Sequence, residues 1–409
     1  MVGSRKHFWL LLSLCNLAIV ALFGLVLRSK ILFPIYFLDY RQFLSAHSHF
    51  AFAGWVGLSL ITLLIFNLLP EEVSSKKTYK WILVGTEVSS LGMALFFPIF
   101  GYNAISIFFS SLYIVVNYIF GWVYIKDLLK IKMDKTVRLL SMAAIGSLLV
   151  SAIGPLGLVY ILLSKSGDSI LYRDSIYTFL HFQYNGFFTL SVFALYFSQA
   201  LQKGMTIPPA VKRFSLLMVI SIVPSLFLSL LWHGAFLDYV FAVSGALLIL
   251  LALSQFLIYL ENKTPKPVPA LPFARVLLAL SIFSFVLKML LNVGTLWLQN
   301  AIYGDRPVII GFLHLVFLGF VSFYLLSHMM DLGYFSRKGK LQRLPFFIFA
   351  GGVIANEFIL GLQGFSILFK TNSGIYNWLL WGAAILLFSG AVSILVAALR
   401  TKKATPLPG

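Results

Sequence analysis

His49-Phe50-Ala51-Phe52-Ala53-Gly54-Trp55-Val56 is one of three related stretches that recur at a nearly constant interval along this chain. The other two are His181-Phe-Gln-Tyr-Asn-Gly-Phe-Phe188 and His314-Leu-Val-Phe-Leu-Gly-Phe-Val321, so the histidines are 132 and 133 residues apart. Eight residues before each histidine stands an arginine: Arg41, Arg173 and Arg306. A pattern repeated at a fixed interval indicates that the chain is built from internal repeats.

Long apolar runs surround the repeated stretches. A helix needs about 20 apolar residues to cross the hydrocarbon of a bilayer. Twelve such runs can be counted: 8–27, 42–68, 79–99, 104–125, 139–163, 176–200, 213–235, 237–260, 273–298, 307–327, 344–366 and 375–398. The sequence therefore predicts an all-α polytopic membrane protein, with a single transmembrane domain over 1–409. Its twelve transmembrane helices would form three pseudo-repeated four-helix units, roughly 1–135, 136–268 and 269–409.

The composition agrees with a membrane protein. Hydrophobic residues make up 60% of the chain and charged residues 11%, and the mean hydropathy is +0.94. A soluble domain carries about 25% charged residues, so soluble enzymes and disordered chains are excluded. Cys15 is the single cysteine, which excludes a disulfide framework and a cysteine-based metal site.

The net charge of +18 is explained by topology. The N-terminus, the even-numbered connections and the C-terminal tail carry 23 of the 31 Lys and Arg residues, including Lys338 and Lys340. Basic residues accumulate on the cytoplasmic side of membrane proteins. The sequence therefore predicts a plasma-membrane protein with both termini in the cytoplasm, in contact with the lipid bilayer and without a nucleic-acid partner.

Five of the seven histidines are predicted to lie at one depth, toward the outer face. Helices 2, 6 and 10 run inward and helix 7 runs outward, which places His49, His181, His233 and His314 in the outer part of the membrane. His47 lies at the same depth, but about 200° from His49 around the helix, so the two cannot face one ligand. The repeat favours His49 as the inward residue. Imidazole is a common ligand of haem iron and copper, although a lone intramembrane histidine also serves as an interhelical hydrogen-bonding group.

Small residues accompany each repeated histidine. The residue eight positions later, about two turns along the helix, is small in all three copies and is predicted to leave room beside the imidazole: Gly57, Thr189 and Ser322. A glycine five positions after each histidine is predicted to let a neighbouring helix approach closely: Gly54, Gly186 and Gly319.

Three sets of four helices, with histidines on helices 2, 6, 7 and 10, resemble the haem–copper oxidase subunit I superfamily. The stretch Ala46-His47-Ser48-His49, followed by Phe52-Ala53-Gly54-Trp55, is similar to helix 2 of divergent members, including the NnrS-type membrane proteins. The resemblance implies one haem b with His49 and His314 as axial ligands. It further implies haem propionates near Arg41, Arg173 and Arg306, and a copper ion near His181 and His233. A three-histidine copper site would be complete only if His47 turned inward or Tyr184 took the third position.

This sequence departs from the family pattern in helix 10. Oxygen-reducing members have two helix-10 histidines two residues apart, whereas Phe312 and Val316 flank His314 here. We therefore expect a haem-binding protein with a degenerate oxidase fold and a redox, electron-transfer or gas-related (oxygen or nitric oxide) role. A redox partner or accessory membrane subunits would accompany it.

Two other functions fit the same sequence. One is the catalytic subunit of an oxygen or nitric oxide reductase, an oxidoreductase of the haem–copper type. The other is a cofactor-free transporter built on the intramembrane charges Glu87, Lys288 and Glu357. These three residues could equally form one structural ion pair plus a protonated carboxyl group.

Overall fold

The computed structural model describes residues 2–262, 265–304, 306–335, 343–369, 371 and 373–401, so the predicted inner-loop residues Lys338 and Lys340 lie outside the described residues. Within these ranges the chain is all-helical and forms twelve long helices. They are α1 (Val2–Leu32), α2 (Tyr40–Leu68), α3 (Lys77–Phe100), α4 (Ala104–Leu128), α5 (Lys135–Ser164), α6 (169–202), α7 (Pro209–His233), α8 (Phe236–Glu261), α9 (Pro272–Gly304), α10 (Arg306–Asp331), α11 (Leu344–Leu368) and α12 (Ile375–Arg400).

Eleven of these helices, in the part of the chain described, are long and apolar enough to cross a membrane. The predicted polytopic membrane protein is thereby confirmed, whereas the predicted count of twelve spans is not. The remaining long helix is α6, which is less apolar than the others because it carries Gln183, Asn185 and Gln199. Residues 181–197 of α6 are all buried, so protein rather than lipid surrounds this helix.

Neighbouring helices pack in chain order, and the order closes on itself. Contacts run within the predicted units (α1–α2–α3–α4, α5–α6–α7–α8 and α9–α10–α11–α12) and between them, from α4 to α5, α8 to α9 and α12 to α1. The helices that carry the repeated histidines meet in the interior, where the rings of Phe52 of α2, Phe188 of α6 and Phe317 of α10 contact one another in tilted and edge-to-face arrangements.

Each repeated histidine is followed by a π-helical segment: Ala51–Gly57, Phe182–Phe188 and Leu315–Ser322. The small residue eight positions after the histidine lies at or just beyond the end of this segment. Thr189 donates its hydroxyl to the carbonyl of Tyr184 at 2.5 Å, and Ser322 donates to the carbonyl of Phe317 at 2.7 Å. These residues therefore satisfy carbonyls of the π turn, a role that the expectation of an open α-helical face did not include.

The repeated glycines admit neighbouring helices, as predicted, in two of the three copies. A Cβ on Gly186 would lie 2.3 Å from Cβ of Ser147 on α5, and one on Gly319 would lie 2.7 Å from Oγ of Ser284 on α9. In the first copy the nearest atoms to such a Cβ belong to Phe50 of the same helix.

Candidate functional site

Cavity 1 is a space of 190 Å³ enclosed by α1, α2, α10, α11 and α12. Its walls are mostly aliphatic and aromatic, with Phe52, Trp55 and Phe317 among them. The polar residues of the lining are Arg28, Tyr40, His47, Ser48, His314 and Asn356. Two imidazoles, from α2 and α10, thus share one largely apolar cavity between helices.

The two imidazoles of cavity 1 are held in the same tautomer. Nδ1 of His47 lies 3.1 Å from the carbonyl oxygen of Val20, and Nδ1 of His314 lies 2.8 Å from that of Ile310. A carbonyl can only accept a hydrogen bond, so each Nδ1 carries the proton and each Nε2 keeps its lone pair. A ring oriented through one nitrogen, with the other free to donate electrons, is the usual form of a metal-ligating histidine.

The His47 ring fits against a glycine of α1. A Cβ on Gly24 would lie 3.3 Å from Cε1 of His47, closer than nine in ten such contacts. The absence of a side chain at this position therefore gives the imidazole its place between α1 and cavity 1.

Arg28 is the cationic side chain in the described lining of cavity 1, and the sequence reasoning missed it. The first apolar run of the sequence ends at residue 27, whereas α1 continues to Leu32, so Arg28 lies within the helix. The signal was present in the sequence: Arg28 lies four residues after Gly24, on the same helical face. A guanidinium in an apolar cavity is suited to a carboxylate partner.

His49, which the repeat pattern predicts as the axial ligand, lies outside cavity 1. Its ring stacks on Phe97 of α3 with the ring centroids 4.6 Å apart, and Nδ1 bonds to the carbonyl of Ser45 at 2.8 Å. Because His49 is about 200° from His47 around α2, only one of them reaches the gap between α2 and α10, and it is His47. The three in-register histidines therefore do not meet in one site.

His181 is fully buried and uses both ring nitrogens. Nε2 lies 2.8 Å from the carbonyl oxygen of Ile222 on α7, so it donates, and Nδ1 accepts from the side-chain amide of Asn185 at 3.1 Å. No lone pair of this ring is left for a metal ion in the arrangement described.

His233 also has both nitrogens engaged, at the end of the bundle that carries the odd-numbered connections. Nε2 lies 3.0 Å from Asp174 and Nδ1 lies 3.2 Å from Asp238. The imidazole thereby ties the beginning of α6 to the beginning of α8. With His181 bonded to protein as well, two of the three residues expected to hold copper have no ring nitrogen free for that ion as they are arranged here.

None of the three repeated arginines is among the residues that line cavity 1. Arg41 and Arg306 are exposed at the first turn of α2 and α10. Arg173 lies over the ring of Trp232, 4.6 Å from its centroid, and over Tyr177. Arg173 thus makes cation–π contacts with aromatic residues.

The three intramembrane charges lie in separate surroundings. Glu87 accepts a hydrogen bond from Asn16 of α1 at 2.9 Å. Lys288, fully buried, donates to Oγ1 of Thr189 at 2.7 Å and to the carbonyl of Tyr184 at 3.2 Å. Glu357 lines a second cavity, and no two of these three form an ion pair among the described residues.

The chain matches no protein-family model, and no curated protein is significantly similar to it in sequence.

Proposed function

We propose that the chain is a multi-pass haem protein of the plasma membrane, with one haem b between α2 and α10 in cavity 1. His47 and His314 are its axial ligands, and Arg28 is the partner of a propionate. The observation that supports this proposal is the pair of imidazoles in one apolar cavity, each oriented through Nδ1 by a backbone carbonyl. A haem with two imidazole ligands supplies one-electron transfer.

The proposed ligand pair replaces His49 of the repeat pattern with His47. Equivalent residues of a rotational repeat face gaps that correspond to one another but lie at different places around the bundle. His49 lies against α3, His181 against α7, and His314 in cavity 1. A ligand between α10 and α2 is therefore reached by two non-equivalent residues.

The wider topology of the proposal rests on packing and charge. The closed order of contacts between neighbouring helices supports three four-helix units. The burial of α6 inside the bundle supports its role as a twelfth membrane-crossing helix despite its polar residues. The distribution of Lys and Arg supports termini on the cytoplasmic side.

The rival functions find less support in these contacts. A reductase needs a metal next to the haem, and both ring nitrogens of His181 and of His233 are already bonded to protein groups. A transporter needs a mobile charge, and Lys288 is hydrogen-bonded to α6. Electron transfer or gas-related sensing by a six-coordinate haem is the function that the arrangement favours.

The test is a reduced-minus-oxidised optical spectrum of the detergent-purified chain and of three variants. We expect the haem signal to be lost in His47→Ala and His314→Ala and retained in the matched control His49→Ala. Carbon monoxide should leave the reduced spectrum unchanged within seconds, because both axial positions are filled.

Three outcomes would contradict the proposal. Loss of the signal in His49→Ala with retention in His47→Ala would restore the ligand pair expected from the repeat. A rapid shift with carbon monoxide would favour the reductase. Absence of haem absorbance after haem supplementation would exclude both and leave the transporter.

A further inference from the structure

Cavity 2 is a larger space, of 480 Å³, lined by residues of α6, α7, α9, α10 and α11. It is separated from cavity 1 by α10, whose Leu313 lines both spaces, and by α11, where Asn356 faces cavity 1 and Glu357 faces cavity 2. Its volume is within the range of cavities that bind small organic ligands. The haem proposal makes no use of it.

Cavity 2 opens toward the lipid. Leu291 on α9 and Phe365 on α11 line it and are 42% and 64% exposed, and the exposed Gly361 lies beside them. These residues lie within apolar helices long enough to cross the membrane. A ligand that enters here therefore comes from the bilayer and is itself largely apolar.

The charges of the cavity favour a neutral ligand. The described lining contains neither lysine, arginine nor histidine, and Glu357 is its carboxyl group. An anionic fatty acid or a haem propionate would have no cation partner here and would meet a carboxyl group. Haem iron and copper would also lack an imidazole ligand.

A buried side-chain amide of cavity 2 favours a ligand that carries an acceptor oxygen. Asn292 of α9 lines cavity 2, is 4% exposed, and its Nδ2 has no hydrogen-bond partner among the described residues. An unpaired buried N–H group is unfavourable unless an acceptor meets it. An acceptor oxygen on the ligand would satisfy this donor.

A second polar group lies on a different wall. Glu357 of α11 accepts a 3.0 Å hydrogen bond from Asn356 through Oε1. Its second oxygen can accept from a ligand hydroxyl or, when protonated, donate to a ligand carbonyl. Among aliphatic side chains such as Leu180 and Leu287, the lining also contains aromatic rings and glycines: Tyr177, Tyr184, Phe312, Gly311 and Gly364. Aromatic rings and bare backbone around a space favour a flat ligand.

We propose that cavity 2 binds a membrane-dissolved quinone-type molecule, a flat neutral ring with oxygen atoms on opposite edges. One ring oxygen accepts from Nδ2 of Asn292. The other accepts from the protonated carboxyl group of Glu357 in the quinone form, or donates as a hydroxyl to its carboxylate in the quinol form. The apolar tail leaves the bundle past Leu291 and Phe365 into the lipid. This binding does not depend on a haem in cavity 1.

Gly361 provides a way to fill the cavity. A Cβ at this position would meet no atom within 4 Å, whereas one on Gly364 would lie 3.1 Å from Val308. Gly361→Phe would therefore occupy the mouth of cavity 2 without displacing protein atoms. Gly351 is a matched control, because it is also an exposed glycine of α11 with no atom within 4 Å, and it does not line the cavity.

The experiment measures binding of decylubiquinone to the detergent-purified full-length chain by titration calorimetry. Decylbenzene, which has the same tail and no ring oxygen, is the control probe. We expect saturable binding to the wild type and to Gly351→Phe, and at least tenfold weaker binding to Gly361→Phe. Asn292→Leu should weaken binding about tenfold, because one hydrogen bond is lost. Decylbenzene should show no saturable binding.

Two results would overturn the proposal. Equal affinity for wild type and for Gly361→Phe would place the quinone outside cavity 2. Equal saturable binding of decylbenzene would show that the space takes any apolar tail, such as a lipid acyl chain. If Gly361→Phe does not elute as a folded protein, the comparison of Asn292→Leu with the wild type decides: unchanged affinity there would also contradict the proposal.

Discussion

Trp55 donates its indole N–H to the hydroxyl of Ser322 across 2.8 Å, and both side chains are buried. The bond joins the π segment of α2 to that of α10, eight residues along each helix from the histidines of cavity 1, His47 and His314. The hydroxyl of Ser322 donates its own hydrogen bond to the carbonyl of Phe317, so its oxygen can accept the bond from Trp55. Two of the repeated stretches are thus connected by a specific polar contact.

A double-mutant cycle measures this contact. Trp55→Phe and Ser322→Ala should each lower the free energy of unfolding, and the coupling between them should be about 0.5–1.5 kcal/mol. Unfolding in a detergent–denaturant titration gives the four values. Strictly additive effects would show that the bond contributes nothing beyond the packing of the ring.

The close approach of α5 to α6 predicts opposite effects for two neighbouring glycine substitutions. Gly186→Ala would bring a Cβ to 2.3 Å from Cβ of Ser147, so the helices must separate, and we expect a loss of about 1–3 kcal/mol. Gly146→Ala meets no atom within 4 Å and should be neutral or stabilising by up to about 1 kcal/mol, because alanine favours helix. A loss of stability at Gly146 equal to that at Gly186 would contradict the packing.

Gly24 should control the position of the cavity-1 imidazole. A Cβ on Gly24 would already lie 3.3 Å from Cε1 of His47, so the longer side chain of Gly24→Leu must displace the ring. We therefore expect this variant to lose most of the haem absorbance. Gly3→Leu is the matched control on α1, since a Cβ at Gly3 meets no atom within 4 Å. Haem content per protein is the measurement. Full haem content in Gly24→Leu would argue against His47 as a ligand.

Hydrophobic runs were sufficient to predict the helices, because their positions depend on length and apolarity alone. The runs at 104–125 and 375–398 correspond to α4 and α12 within a few residues. The close helix approach at Gly186 and Gly319 could also be predicted, since a glycine on a membrane helix has few other uses.

The pairing of residues across helices could not be predicted from the repeat. Alignment shows which residues are equivalent, and equivalence suggested that His49 and His314 converge. In the folded chain, equivalent residues face different gaps, so His314 shares its cavity with His47. The π segments were also invisible, because apolar α-helix and π-helix have the same composition.

Copper content tests the histidines that bond to protein. Because both nitrogens of His181 and of His233 are engaged, His181→Ala and His233→Ala should bind the same amount of copper as the wild type after loading and dialysis. Metal analysis per mole of protein is the readout. Loss of one copper equivalent in either variant would mean that the ring is released from its protein partners to bind the ion.

Lys288 is expected to stabilise the π turn of α6 together with Thr189, and the two should be partly redundant. The carbonyl of Tyr184 accepts from both, at 3.2 Å from Nζ and 2.5 Å from Oγ1. Lys288→Met keeps the volume and leaves the threonine hydroxyl on the carbonyl, so the change in unfolding free energy should stay below about 1 kcal/mol, as burial of the ammonium is also relieved. Adding Thr189→Val leaves the buried carbonyl without a side-chain donor, and the double variant should lose about 1–3 kcal/mol more. A large loss in Lys288→Met alone would contradict this redundancy and show that the ammonium stabilises the turn beyond what Thr189 supplies.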